Sequence, residues 1–162
     1  MLQDALIGTV AGALGTVALN ITTYADMAIR GRPSSSAPSQ MVGILADNAH
    51  MPLSSKGVGV HDETAQNRQN GLGSLLGFVN GLGVGALYGL LRSQSEEDVL
   101  IPLVGTVLGL TVMAASDIPL VTLGVSNPKT WGVSGWAADT IPHLIYGFVT
   151  AVAYETLRNT NE

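Results

Sequence analysis

The sequence predicts an all-α integral membrane protein, folded as a four-helix bundle with glycine-zipper packing and one short interfacial helix. Only 12% of the 162 residues are charged and the mean hydropathy is +0.35, a composition typical of membrane proteins. The apolar residues fall in four blocks, and crossing a bilayer core of about 30 Å takes about 20 helical residues. In the second block glycine recurs every four residues, which brings small side chains to one helix face.

The chain is predicted to form a single transmembrane domain over residues 1–162, with little sequence left for a soluble domain. The four predicted spans cover residues 5–29, 71–91, 99–115 and 141–157, and a cytoplasmic loop covers residues 30–70. The absence of cysteine excludes disulfides and cysteine-ligated metal centres. The net charge of −5, without a basic cluster, argues against nucleic acid as a partner.

Rows of glycine on three spans predict close helix packing. Glycine costs about 1 kcal/mol relative to alanine in an exposed helix interior, so a row of them predicts a helix that close contact with a neighbour stabilises. The predicted packing residues are Gly8, Gly12, Gly73, Gly77, Gly81, Gly85, Gly89, Gly105 and Gly109. The row on span two is expected to face spans one and three within the monomer. Contact with a second copy or another membrane protein is the alternative.

The loop between spans one and two is predicted to contain a short helix. The segment GRPSSSAPS predicts a turn that ends the first helix and caps a new one near Ser36. Met41, Ile44, Leu45 and Ala49 follow at spacings of three and four, which indicates a short amphipathic helix on the membrane surface or folded under the bundle. The polar run ETAQNRQN is expected to continue directly into span two.

Two further caps are predicted for spans three and four. The connection RSQSEED is short, so spans two and three are expected to be antiparallel neighbours. Asp98 is predicted to cap span three, with Pro102 in its first turn, and Thr140 is predicted to cap span four. Trp131 and Trp136 are predicted to anchor one membrane interface.

The distribution of lysine and arginine predicts the orientation. The loops after spans one and three carry Arg30, Arg32, Lys56, Arg68 and Lys129, whereas the other side carries Arg92 and Arg158. The positive-inside rule then places loops 30–70 and 117–140 in the cytoplasm and both termini outside.

Antiparallel spans would bring polar residues together at one membrane face. This candidate polar mouth consists of Asn20, Tyr24, Asp26, Arg30, Arg68, Asp117, Asp139 and His143. The opposite face is predicted to have no comparable set. Asn80, near the middle of span two, is predicted to hydrogen-bond to a neighbouring helix, worth about 0.6 to 2 kcal/mol, with lining of a substrate path as the alternative. His50 and His61 are predicted to be solvated in the loop.

Two interpretations of the polar mouth stay open. In one, two carboxylates and an imidazole coordinate a divalent cation or relay a proton, because intramembrane ionisable groups often mark ion paths. In the other, which is favoured, Asp26 pairs with Arg30 or Arg68. Asp117 and His143 then cap or link helix ends. No short ligand motif such as H-E-x-x-H is present, so no catalytic, cofactor-binding or metal-binding residue is assigned, and the cofactor is unknown.

Three stretches of the sequence carry a family resemblance: GTVALNITTYADMAIRGRPSS, NGLGSLLGFVNGLGVGALYGL and SDIPLVTLGVSNPKTWGVSGWAADTIPHLIYG. Together they resemble a group of small four-span bacterial membrane proteins of uncharacterised function. The last third, with Pro119, Gly124 and His143, is more distantly similar to the YagU-like inner-membrane proteins. The resemblance implies a multi-pass protein of the bacterial plasma (inner) membrane. It also implies a shared set at one face, namely Asn20, Tyr24, Asp26, Arg30, Asp117 and His143.

The sequence favours a structural or accessory role. No nucleophile elbow, phosphate loop or dinucleotide fingerprint is present, so an enzyme is unsupported. The predicted function is that of a subunit which packs through its small-residue helix faces and presents the polar mouth to a partner. The alternative is a small oligomeric transporter or channel in which Asp26, Asp117 and His143 form an ion or proton site. The expected partners are the lipid bilayer and a second copy or a larger membrane-protein complex.

Overall fold

The structure, a computed structural model, describes residues 1–51, 53, 63–95 and 97–160. Its helices are α1 (Leu2–Arg30), α2 (Ala37–Asn48), α3 (Glu63–Arg92), α4 (Ile101–Thr122) and α5 (Gly132–Thr160), with a 3₁₀ turn at Pro128–Thr130. No strand occurs within these described ranges, which confirms the all-α prediction. Lys56 and His61 lie outside the described residues.

Helices α1, α3 and α4 are long and apolar enough to cross a membrane, judged by length and composition over the described residues. Large apolar side chains are also exposed along all four long helices. Examples are Leu6 at 60%, Leu75 at 61%, Leu103 at 62% and Val152 at 51% exposure. A contiguous apolar exterior of this kind indicates association with a membrane.

The four long helices lie side by side in the order α3, α1, α5, α4, and each is antiparallel to its neighbours. The direction of α1 against α3 follows from its contacts, since Gly8 lies against Gly85 and Gly89 while Gly12 lies against Gly81. At the other end of α1, the Arg30 guanidinium donates to the Ser134 hydroxyl at the start of α5. The contact between α3 and α4 is much looser than the other three, and α2 packs mainly against α3.

Most of the predicted packing glycines lie where two helices meet. A Cβ at Gly12 would be 2.6 Å from the Gly81 carbonyl oxygen, and one at Gly109 would be 2.7 Å from the His143 carbonyl oxygen. In the same way Gly8, Gly85 and Gly89 lie in the α1–α3 contact, Gly105 meets Phe148 of α5, and Gly73 meets Pro38 of α2. The glycine row of α3 therefore faces α1 as predicted but not span three, because the glycines of α4 pack against α5. Gly77 differs, because a Cβ there would meet nothing within 4 Å.

The structure confirms two helix boundaries and corrects two caps. Helix α2 begins directly after Ser36, and α3 begins at Glu63 and runs unbroken into the apolar part. The Asp98 cap was a wrong prediction, because Leu100 is the N-cap of α4. The Thr140 cap was also wrong, because α5 is already helical from Gly132. Packing of α4 against α5 outweighs local cap signals here, as tertiary context often does.

Candidate functional site

A polar cavity of about 310 Å³ lies between α1, α3, α4 and α5 at the end where α1 finishes and α5 begins. Its polar lining includes Asn20, Tyr24, Asn80, Ser116, Asp117, Asp139 and His143. Thr16, Gly81 and Tyr146 also line it, and Ser35 and Pro38 contribute from the start of α2. A second cavity of about 290 Å³ shares Asp117, Asp139 and His143 and extends to Arg32 and Trp131.

The remaining residues of the predicted polar mouth lie outside this polar cavity. The Arg30 guanidinium contacts both carboxylate oxygens of Asp26 at 2.6 Å, and Arg32 contacts the same carboxylate. Arg68 instead donates to the Leu53 carbonyl oxygen at 2.7 Å. Asp26 is therefore engaged in an ion pair one turn along its own helix, and that pair fastens the end of α1 to the start of α5 through Ser134.

Asp117 of α4 and Asp139 of α5 line the same polar cavity, and both also line the second cavity. Two carboxyl groups in one site repel each other when both are ionised, which favours a proton on one of them. The Oδ2 atom of Asp139 is buried and receives no hydrogen bond from another group. Within the described chain, neither carboxyl group forms an ion pair with lysine or arginine.

His143 adds a base to the same cavity. Its Nδ1 atom is 2.7 Å from the Asp139 backbone oxygen, which only accepts, so Nδ1 carries the hydrogen. Its Nε2 atom is 3.4 Å from the Ser116 hydroxyl oxygen. That hydroxyl is within reach of the Val112 and Met113 carbonyl oxygens, which take its proton. In the neutral ring, Nε2 is therefore an acceptor.

Asn80 forms a hydrogen bond to a neighbouring helix and also lines the polar cavity. Its Nδ2 amide donates to the Val112 carbonyl oxygen on α4 at 3.1 Å, which confirms the predicted hydrogen bond to a neighbouring helix. The same residue lines the polar cavity. This hydrogen bond joins α3 to α4, the two neighbouring long helices with the loosest contact. The Asn80 amide oxygen remains available as an acceptor.

The opposite end of the helices holds a polar cluster of its own, which corrects the prediction that this end has no comparable set. Arg92 Nε lies 2.9 Å from Glu155 Oε1, and the Tyr88 hydroxyl donates to the same oxygen at 2.9 Å. The Arg92 side chain is only 7% exposed. Arg92 lies on α3 and Glu155 on α5, so their contact depends on how each helix is rotated about its axis. The sequence signal for this cluster was the spacing of Tyr88 and Arg92, which are four residues apart on one helix face.

Sequence reasoning also missed a buried polar stripe on α5. Tyr146, Thr150 and Tyr154 are each 0% exposed and face the small residues of α1 and α3. The signal was present in the sequence, because His143, Tyr146, Thr150 and Tyr154 recur at spacings of three and four. The residues between them are mostly apolar, so the hydropathy of this segment did not indicate a polar stripe.

No group of three or more histidine, aspartate or glutamate side chains is placed to hold a metal ion in the part of the chain that the structure describes. No protein family, curated protein or solved structure was found to match this chain. The function is therefore inferred from the chemistry of the polar cavity.

Proposed function

We propose that this chain is a four-pass membrane protein that works as a small transporter for a proton or a cation, with Asp117, Asp139 and His143 as its binding site. One observation carries the proposal. A pair of carboxyl groups, with no lysine or arginine partner in the described chain, lines a cavity enclosed by apolar helices. Ionisable groups in such surroundings are costly, and in membrane proteins they commonly mark ion or proton paths.

The contacts of α5 support a fourth membrane crossing. Helix α5 lies between α1 and α4, both of which are apolar enough to span, and it is antiparallel to each of them along its length. Its outer side exposes Val133, Ile141 and Val152. A helix enclosed in this way crosses together with its neighbours. We therefore propose a membrane four-helix bundle held by glycine-zipper contacts, in the bacterial plasma membrane with the polar cavity on the cytoplasmic side.

The pairing of the other carboxylates favours transport over a purely structural role for this site. Asp4 lies 2.6 Å from the terminal amine, Asp26 contacts two arginines, and Glu155 contacts Arg92. Each of these acids has a cationic partner that offsets its desolvation. In the described part of the chain, Asp117 and Asp139 have no such cation, and their ionisable neighbour is His143, whose Nδ1 atom lies 3.5 Å from Asp139 Oδ1. Burial of these carboxyl groups without a permanent cation lowers the stability of the fold, which is typical of functional sites.

An accessory role is the second candidate, and one surface favours it. An apolar groove of about 340 Å³ runs between α2 and α3, lined by Val42, Leu45, Leu72, Leu75, Leu76 and Val79 among others. A hydrophobic groove of this shape suits an apolar helix of a partner. Most glycines of the rows are engaged within the chain, so this groove is the surface through which an accessory subunit would bind. Mass measurement of the gently extracted particle, with every co-purifying chain identified, tests it.

Proton flux in reconstituted vesicles tests the transport proposal. A potassium gradient with valinomycin drives flux, and an entrapped pH-sensitive dye reports it. We expect flux with the wild-type chain, none with Asp117→Asn or Asp139→Asn, and wild-type flux with Asp47→Asn, whose side chain is exposed on α2. Equal amounts of folded protein in each vesicle preparation are the control. Flux no greater than in empty vesicles, or unchanged flux in both site variants, would overturn the proposal.

A further inference from the structure

We propose that the ligand of the polar cavity is a small organic ammonium cation, bound at the carboxyl groups of Asp117 and Asp139. The inference rests on the proposed transport function, because it names the class of solute for the same site. Binding can nevertheless be measured without transport, so the two proposals can fail separately.

Five side chains that line the polar cavity already donate hydrogen bonds to backbone carbonyl groups. The Thr16 hydroxyl donates to the Gly12 carbonyl oxygen, and the Tyr146 hydroxyl donates to that of Gly81. One Asn80 amide N–H donates to the Val112 carbonyl oxygen, and the Ser116 hydroxyl donates to that of Val112 or Met113. His143 Nδ1 donates to the Asp139 carbonyl oxygen. In the described lining, donors remain on Asn20, Tyr24 and Ser35 and on the second amide N–H of Asn80, and none of these groups carries a positive charge.

Acceptors remain in the same lining. They are the carboxyl oxygens of Asp117 and Asp139, Nε2 of His143 and the amide oxygen of Asn80. A cavity whose acceptors include two carboxyl groups, and whose remaining donors are all neutral, binds best to a cation that donates several hydrogen bonds. A primary ammonium group carries three N–H donors and no acceptor, as a lysine side chain does.

The charge and shape of the cavity favour an organic cation in particular. In the described chain no lysine or arginine lines the polar cavity, and Arg32, in the adjoining cavity, is held by Asp26. A metal ion is disfavoured, because no described group of three ligands converges. Apolar side chains such as Phe78, Leu19 and Leu120 line the same space, and they provide contacts for an alkyl group. A volume of about 310 Å³ suits a small solute.

Binding should release one proton. In the free cavity the Asp117 and Asp139 pair holds one proton, because two adjacent ionised carboxylates repel each other. That proton leaves to the solvent as the ammonium enters, so one cation replaces another and the net charge of the pair with its bound cation stays at −1. The other titratable or charged groups that face the site are His143 and Tyr146 of α5, Tyr24 of α1 and, from the adjoining cavity, Arg32. Helices α2 and α3 contribute none to the described lining.

Calorimetric titration of the full chain in detergent tests the proposal, with n-butylammonium chloride as the probe and 1-pentanol as the neutral control of similar size. We expect saturable binding of n-butylammonium only. Buffers of different ionisation enthalpy should report the release of one proton. Asp117→Asn and Asp139→Asn should weaken binding by at least about tenfold, since a charge-assisted contact is lost. Asp47→Asn should bind like the wild type.

A second measurement needs no variant, in case the substitutions prevent folding. Infrared difference spectra of the wild type should lose a protonated-carboxyl band when n-butylammonium is added, and 1-pentanol should leave that band unchanged. Equal affinity for the two probes, or an unchanged carboxyl band, would overturn the inference. Binding without proton flux in vesicles, measured both with and without n-butylammonium, would uphold the ammonium site and overturn transport. Proton flux without n-butylammonium binding would do the reverse.

Discussion

Tyr146 of α5 donates a hydrogen bond of 2.6 Å to the carbonyl oxygen of Gly81 on α3. Further along both helices, the Tyr154 hydroxyl lies 3.4 Å from the Gly89 carbonyl oxygen, and each pair is separated by 65 residues in sequence. Helices α3 and α5 therefore keep one register, although α1 packs closely against both. The glycines allow this because they leave their carbonyl groups unobstructed for the tyrosine hydroxyls.

Replacement of Tyr146 by phenylalanine should destabilise the protein. The side chain is fully buried, and the change removes a short hydrogen bond without creating a large cavity, so we expect a loss of about 1 kcal/mol in the free energy of unfolding. Denaturant unfolding in detergent measures it. Tyr154→Phe is the matched control and should lose less, because its bond is longer. Equal stability of Tyr146→Phe and the wild type would contradict the role of this bond.

Glycine substitutions on α3 should separate packed from open faces. A Cβ at Gly85 would lie 2.7 Å from the Cα atom of Gly12, and backbone atoms there have no room to yield. We expect Gly85→Ala to reduce stability by about 1 to 3 kcal/mol. Gly83 has nothing within 4 Å of a Cβ, so Gly83→Ala should be neutral or more stable by up to about 1 kcal/mol. Thermal unfolding of both variants provides the comparison, and a similar loss in both would contradict the packing argument.

The sequence was sufficient to predict the helices and the packing of α3 against α1, because hydropathy and glycine spacing are local signals. It did not predict that the glycines of α4 pack against α5 and not against α3. It predicted the start of α2 after Ser36 and the hydrogen bond of Asn80 to another helix. It did not predict the pair of Arg92 and Glu155, since their meeting depends on the rotation of two helices about their axes. Periodicity in a helix that is apolar on most sides leaves that rotation undetermined.

The Arg92–Glu155 ion pair should show strong coupling between its partners. Glu155→Leu leaves the nearly buried Arg92 cation without its carboxylate, and we expect a loss of about 3 to 5 kcal/mol. The double variant Arg92→Met with Glu155→Leu removes both charges and should recover most of that loss. A double-mutant cycle with both single variants, followed by denaturant unfolding, measures the coupling. Additive effects would show that the two side chains contribute independently.

Single cysteines at the two ends of α5 should be labelled from opposite sides of the membrane. The chain contains no cysteine, so Val133→Cys and Thr160→Cys each carry one thiol. In intact cells we expect an impermeant maleimide to label Thr160→Cys and the reference Gln94→Cys, because both lie on the predicted outer side. Val133→Cys should be labelled only after the cells are permeabilised. If α5 does not cross, Val133→Cys and Thr160→Cys will be labelled alike. Labelling of Val133→Cys alone in intact cells would retain the crossing of α5 but reverse the orientation, and the polar cavity would then open to the outside.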